Sequence, residues 1–64
     1  MASLHDSQLS ALAATIDDAA ERVAAMAEDI QARESEAATA LYEAERSLQM
    51  AQRAIGRARR SLES

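Results

Sequence analysis

Residue types that carry out catalysis are scarce in this chain, and each lacks the partners that its chemistry needs. His5 is the only histidine, and it stands beside Asp6 near the start of the sequence. Acidic residues occur as neighbours, such as Asp17 and Asp18, and no Glu-x-x-His pair of the kind that builds a di-metal bundle is present. The chain also has no cysteine. We therefore expect no metal and no cofactor, and we interpret His5 as a solvated terminal side chain.

Nucleophilic catalysis and phosphate binding are disfavoured as well. A serine or threonine nucleophile needs a base within hydrogen-bond reach that is itself held by a third group, and the one histidine is terminal. Gly56 is the only glycine, so no glycine-rich loop can cradle a phosphate. The sequence predicts that the protein is not an enzyme and has no small-molecule substrate.

Arginines form a periodic set near the end of the chain. Arg46, Arg53 and Arg60 recur every seven residues, with Arg57 and Arg59 beside them. One interpretation is ordinary solubility together with a favourable interaction with the helix dipole. The other is a docking site for an acidic partner. Nucleic acid is a weaker form of the second, because the formal net charge is −4 and no aromatic side chain lies among these arginines to stack on bases.

Two larger side chains, Tyr42 and Met50, lie beside the main apolar pattern. Partial cover at the edge of a bundle is one interpretation. A partner-binding contact is the other, since methionine adapts well to binding surfaces.

Helices must position these side chains, because proline and asparagine are absent and strand-forming residues are few. The composition predicts helix from about Ser7 to about Ser61. Ser3 or Ser7 can serve as the N-cap, and Asp6 suits the positive end of the helix dipole.

The apolar residues follow a seven-residue period in both halves of the chain. In the first half, position a holds Leu9, Ile16, Val23 and Ile30, position d holds Leu12, Ala19 and Met26, and position e holds Ala13, Ala20 and Ala27. In the second half, position a holds Leu41, Leu48, Ile55 and Leu62, position d holds Ala37, Ala44, Ala51 and Ala58, and position g holds Ala40, Ser47, Ala54 and Ser61. The wide first-half face suits a bundle. The small residues of the second half predict a helix contact closer than the usual interaxial distance of about 8–10 Å.

The phase of this pattern changes between Ile30 and Leu41, and two interpretations remain open. A continuous helix would absorb the change as a stutter, and the segment from Gln31 to Glu36 contains no Gly, Pro, Asn or Asp. Alternatively this polar segment turns, with Ser35 capping a second helix and Glu36 in its first turn. We favour an antiparallel hairpin with helices at about 7–31 and 35–61 and a turn at about 32–35, over one long helix in an antiparallel coiled-coil dimer.

Charge distribution favours antiparallel packing in either case. Residues 1–32 carry six acids and one arginine, whereas residues 33–64 carry six arginines and five glutamates. Antiparallel packing lays the acidic start alongside the arginine-rich end.

A chain of 64 residues with only ten Leu, Ile or Val side chains has little to bury when it folds alone, so we expect an oligomer or a partner.

There is no apolar run of the roughly 18–20 residues that would span a membrane. The N-terminus does not resemble a signal peptide. We expect a single helical domain in the cytoplasm with no membrane partner. Arginine without lysine, in an alanine-rich chain, suggests a bacterial genome of high GC content.

Residues 46–51, Arg-Ser-Leu-Gln-Met-Ala, followed by Ala54 and Ile55, resemble the later helix of small co-chaperones that keep type III secretion needle subunits soluble (the YscE/EscE type). The resemblance implies a helical hairpin in a heteromeric chaperone complex, with a partner helix on the small-residue face.

The sequence thus predicts a non-catalytic, all-α interaction module, a small chaperone or adaptor that binds a partner helix. A self-assembling homo-oligomeric coiled coil is the alternative, and a nucleic-acid-binding regulator that uses the arginines is less favoured. The predicted helix-packing interface is Leu9, Ile16, Val23, Ile30, Ala37, Leu41, Ala44, Leu48, Ala51, Ile55, Ala58 and Leu62. The further candidates for partner binding are Tyr42, Met50, Arg46, Arg53, Arg57 and Arg60.

Overall fold

A computed structural model describes residues 4–63 as two long helices joined by a short turn. Helix α1 spans Leu4–Ile30 and helix α2 spans Ser35–Glu63. The helices run antiparallel side by side, and the Cα atoms extend over 49 × 14 × 10 Å. The predicted all-α helical hairpin is confirmed, and the alternative of one continuous helix is wrong.

Both helices are slightly longer than the sequence predicts. Helix α1 begins at Leu4, so Ser7 lies inside the helix and is not its N-cap. The other candidate cap, Ser3, lies outside the described residues. Asp6 falls in the first turn, where a carboxylate interacts favourably with the helix dipole. Helix α2 continues past Ser61 to Glu63, with Arg60 in its last turn.

The turn contains no residue with left-handed backbone. The carbonyl oxygen of Ile30 accepts hydrogen bonds from the backbone N–H of Arg33 at 3.0 Å and of Glu34 at 2.8 Å. Among the described residues, no backbone φ is positive. A left-handed residue is therefore not needed to reverse the chain, so the lack of glycine and asparagine does not argue for a continuous helix.

Glu34, rather than the predicted Ser35, occupies the N-cap position of α2. The N–H of Ala38 donates to the Glu34 carbonyl at 3.0 Å, which is the first hydrogen bond of the helix. Ser35 is already helical, and its carbonyl accepts from the Thr39 hydroxyl at 3.0 Å. Glu36 lies in the first turn, as the sequence predicts.

Alanines are the only buried apolar side chains in residues 4–63. The buried apolar residues in the described chain are Ala20, Ala27 and Ala38, with exposed fractions of 6%, 0% and 2%. Each of the ten Leu, Ile and Val side chains is half-buried or exposed. Because alanine side chains are small, the contact between the two helices buries little apolar area.

The helices face each other through positions a and e. In α1 the most buried column is e, which holds Asp6, Ala13, Ala20 and Ala27. The facing column of α2 is also e, and it holds Ala38, Glu45, Gln52 and Arg59. The a columns beside them are half-buried, except for Leu62, which is 49% exposed. The sequence pattern did not indicate the e column of α2, because three of its four residues are polar.

Candidate interaction surface

One broad side of the hairpin is apolar and has no helix packed on it. Viewed from one end, the residues of one antiparallel helix follow each other clockwise and those of the other counterclockwise. The d columns of α1 and α2 therefore lie on the same side of the hairpin. We call this side the open face. It consists of the a and d columns: His5, Leu9, Leu12, Ile16, Ala19, Val23, Met26 and Ile30 from α1, and Ala37, Leu41, Ala44, Leu48, Ala51, Ile55, Ala58 and Leu62 from α2.

The open face contains every residue of the predicted helix-packing interface. Of these, the described structure half-buries Ala37 and Ala44 together with seven of the eight residues in the a columns. Ala51, Ala58 and Leu62 are exposed in the single chain. The phase of α2 explains this outcome, because its e column rather than its d column turns toward α1 along most of the helix.

Large apolar side chains stand out from the open face. Leu12 and Met26 are each 53% exposed, and they occupy position d of α1 two heptads apart. No charged residue occupies an a or d position. Contiguous apolar surfaces of this kind are typical of protein interaction sites.

The two rims of the open face differ in size and polarity. On α1 the rim includes Thr15 and Arg22. The Thr15 hydroxyl donates to the Ala11 carbonyl at 3.1 Å, and Arg22 pairs with Asp18 at 2.9 Å. On α2 the rim consists of small residues, namely Ala40, Ser47, Ala54 and Ser61, all exposed. Along α2 the open face is therefore lower and smoother than along α1.

A partly buried ion pair joins the two helices at the end away from the turn. The Nε–H group of Arg59 donates to Oδ1 of Asp6 at 2.9 Å, and the Asp6 side chain is only 10% exposed. This hydrogen bond and the negative charge of Asp6 raise the pKa of Arg59 above its ordinary value. The pair realises the antiparallel charge arrangement that the sequence predicts. Its two residues were not identified as partners, because pairing them requires the register of the hairpin.

The predicted arginine set lies away from the open face. Arg46, Arg53 and Arg60 occupy position f and Arg57 position c, and all four are exposed. The structure therefore separates these arginines from the apolar surface rather than bringing the two together.

Tyr42 and Met50 also lie outside the open face, with exposed fractions of 37% and 59%. The Tyr42 hydroxyl donates to Oε1 of Gln31 at 3.4 Å, which links α2 to the turn. Tyr42 also lines a shallow recess of about 320 Å³ with Thr39, Glu43 and Arg46. All four residues belong to α2, so the recess is a feature of one helix surface and not of the helix–helix junction.

Within residues 4–63, no three His, Asp or Glu side chains are close enough together to hold a metal ion. Neither α1 nor α2 is long and apolar enough to cross a membrane. Comparison of the chain with protein families, with curated proteins and with solved structures found no match. The resemblance to needle-subunit co-chaperones stays a prediction.

Proposed function

We propose that this protein is a non-catalytic protein–protein interaction module, a small chaperone or adaptor whose open face binds an amphipathic helix. The observation that carries the proposal is the lack of a core in the hairpin itself. The described chain fully buries three alanines and no larger apolar side chain. Its Leu, Ile and Val side chains complete a core only when another helix covers them.

The shape of the open face defines the binding mode. Two antiparallel helices leave a shallow groove between their a columns, and an incoming helix would lie along it with its apolar stripe inward. Helices of 27 and 29 residues correspond to about 40 Å of groove at roughly 1.5 Å per residue. Because no Asp, Glu or Arg occupies position a or d, the contacts within the open face are apolar, and charge can act on a partner only through the residues around the face.

Site-specific photo-crosslinking tests this proposal, and the chain provides a matched pair of positions. Met26 lies on the open face at 53% exposure, and Met50 lies off it at 59%. A benzoylphenylalanine placed at position 26, in cells that produce the protein, should give a defined covalent adduct. The same group at position 50 should not. The crosslinked peptide, identified by mass spectrometry, should have the apolar spacing of an amphipathic helix. Equal labelling from both positions, or none from position 26, would contradict the proposal.

A self-assembling homo-oligomer is the second candidate, because the exposed Leu12 and Met26 and the small residues of α2 occur on the same face of one chain. The same crosslinking experiment separates the two candidates. Adducts of the chain with itself support self-assembly, and adducts with another protein support the adaptor.

A further inference from the structure

We infer that the open face is covered by a second copy of this chain, in a two-fold symmetric four-helix bundle in which α1 of each copy packs antiparallel on α2 of the other. The inference rests on the proposed function, because it uses the same face, and it goes further by naming the occupant and its orientation. Three properties of the face support it: size complementarity, charge and area.

Size complementarity comes from the contrast between the two halves of the open face. At position d, α1 has the large exposed side chains of Leu12 and Met26, whereas α2 has alanine at every d position. Within residues 35–63, the one large exposed side chain on the α2 half is Leu62, at position a in the last turn of the helix. When a copy is rotated by 180°, the large d side chains of α1 lie over the alanines of the d column of α2, which we call the low strip. A two-fold interface of this kind is satisfied by one self-complementary patch.

The register of the hairpin shows which residues would meet. Asp6 faces Arg59 across the hairpin, and the turn joins Ile30 to Ser35. A two-fold axis parallel to the helices keeps both turns at the same end, so α1 meets α2 of the other copy at matching heights. Leu12 is then level with Arg53 of the second copy, and the nearest residue at position d is Ala51, two residues away. Met26 is level with Thr39, and the nearest residue at position d is Ala37. Each large side chain meets a small one.

Charge selects this orientation over the other two-fold arrangement. Rotating the second copy so that the turns lie at opposite ends would stack α1 on α1. Residues 1–32 carry six acids and one arginine, so that arrangement brings like charges together. The chosen arrangement places the acidic α1 beside α2, in which arginines and glutamates nearly balance.

The area of the face is suited to a dimer. The Cα footprint of 49 × 14 Å is about 690 Å², and side chains extend beyond its edges. A stable protein–protein interface buries roughly 800 Å² on each partner. A second copy has the same 49 Å length and covers the whole face, from the turn to the Asp6–Arg59 pair.

A size-swap experiment tests the contact between Leu12 and Ala51. Leu12→Ala removes a large apolar side chain from the interface, and Ala51→Leu places two leucines where there is room for one. Each should raise the dissociation constant of the dimer by at least about tenfold. The double variant restores one large and one small side chain to every contact. It should bind within about fivefold of the original chain. Leu4→Ala is the control, since Leu4 is 72% exposed and lies off the face; it should change the constant by less than about twofold.

Disulfide formation tests the orientation separately. The natural chain has no cysteine, so Ala19→Cys and Ala44→Cys can be made in two chains of different mass and mixed. In the proposed bundle these positions face each other, and a disulfide forms only where the Cα atoms come within roughly 7 Å. Oxidation should give the mixed 19–44 product and neither symmetric product. A 19–19 disulfide would instead show α1 stacked on α1 and overturn the proposed orientation.

These results separate the inference from the proposed function. Two results would overturn the second-copy inference. The first is a helical chain that stays monomeric at all concentrations. The second is a double variant whose helices are intact by circular dichroism but which does not regain the affinity that the single variants lost. The proposed function would then still be supported by an adduct between position 26 and another protein. It fails if position 26 gives no adduct at all.

Discussion

Among single residues, Asp6 and Arg59 make the most specific contact in the hairpin. Their pair joins the start of α1 to the end of α2, and the Asp6 side chain is 10% exposed. The ion pair between Asp18 and Arg22 has the same 2.9 Å separation, but its side chains are 60% and 78% exposed and belong to one helix. The two pairs have the same separation, but only the Asp6–Arg59 pair is partly buried and connects the two helices. We therefore expect it to contribute more to stability than the Asp18–Arg22 pair.

Asp6→Asn should therefore lower the melting temperature clearly, because it leaves the guanidinium of Arg59 without its anionic partner. Asp18→Asn is the matched control, and it should cost no more than about 0.5 kcal/mol. Thermal unfolding followed by circular dichroism measures both. Equal effects of the two substitutions would show that the Asp6–Arg59 pair contributes no more than an ordinary surface pair.

Gly56 lies inside α2, where glycine costs up to about 1 kcal/mol relative to alanine. A Cβ atom added there would meet the Arg60 side chain at 3.7 Å, which is an ordinary van der Waals contact. Close approach of the α1 backbone is therefore not the reason for this glycine. Gly56→Ala should stabilise the protein by about 0.5–1 kcal/mol in urea unfolding. A loss of stability would show that the site is crowded by something that binds there.

Among the elements, the two helices differ in how much of their packing could be predicted from the sequence. The a columns, including Leu9 and Leu48, follow a strict heptad and all lie on the open face. The e column of α2 could not be recognised, because Glu45, Gln52 and Arg59 are polar, and long polar side chains can cover a helix contact with their aliphatic parts. The turn is predicted at about 32–35 from the phase change and the polar segment, and residues 31–34 join the two helices, although this segment contains neither glycine nor asparagine.

Replacing both Ala44 and Ala51 by leucine tests the role of the small residues of α2. Both lie in its d column, on the low half of the open face. The added volume should disrupt assembly by overpacking, with a cost of about 1–3 kcal/mol. Ala14→Leu with Ala25→Leu is the control, because both of these alanines are exposed in α1 outside the open face. Unchanged oligomeric mass and melting temperature in the Ala44/Ala51 variant would rule out close packing on this strip.

The arginine set makes a separate prediction for the outer side of α2. Arg53, Arg57 and Arg60 are exposed and lie off the open face, so changing all three to glutamate removes no contact of the face. The dimer should stay intact at salt concentrations that screen the added negative charge. If these arginines dock an acidic partner, the same variant loses that partner. Binding of RNA or DNA, measured at increasing salt, would need to fall steeply for the nucleic-acid alternative to hold. A variant that loses its dimer would show instead that the set takes part in self-association.

For the whole molecule, the hairpin has two well-defined helices and a core that a single chain leaves open. The antiparallel arrangement follows from sequence charge, whereas the side of the hairpin left uncovered depends on the exact phase of both helices and emerges only from the structure. A partner helix and a second copy would compete for the same open face. Binding a partner would then open the dimer, so that partner binding and self-association are coupled through one surface.

The most direct test is the mass of the isolated chain, measured by light scattering after size exclusion over a range of concentrations, with its melting followed by circular dichroism. The chain has a mass of 6.9 kDa. An open face that must be covered predicts twice that mass for the helical species and a melting temperature that rises with protein concentration. A fully helical species of 6.9 kDa that melts cooperatively at the same temperature at every concentration would contradict this account.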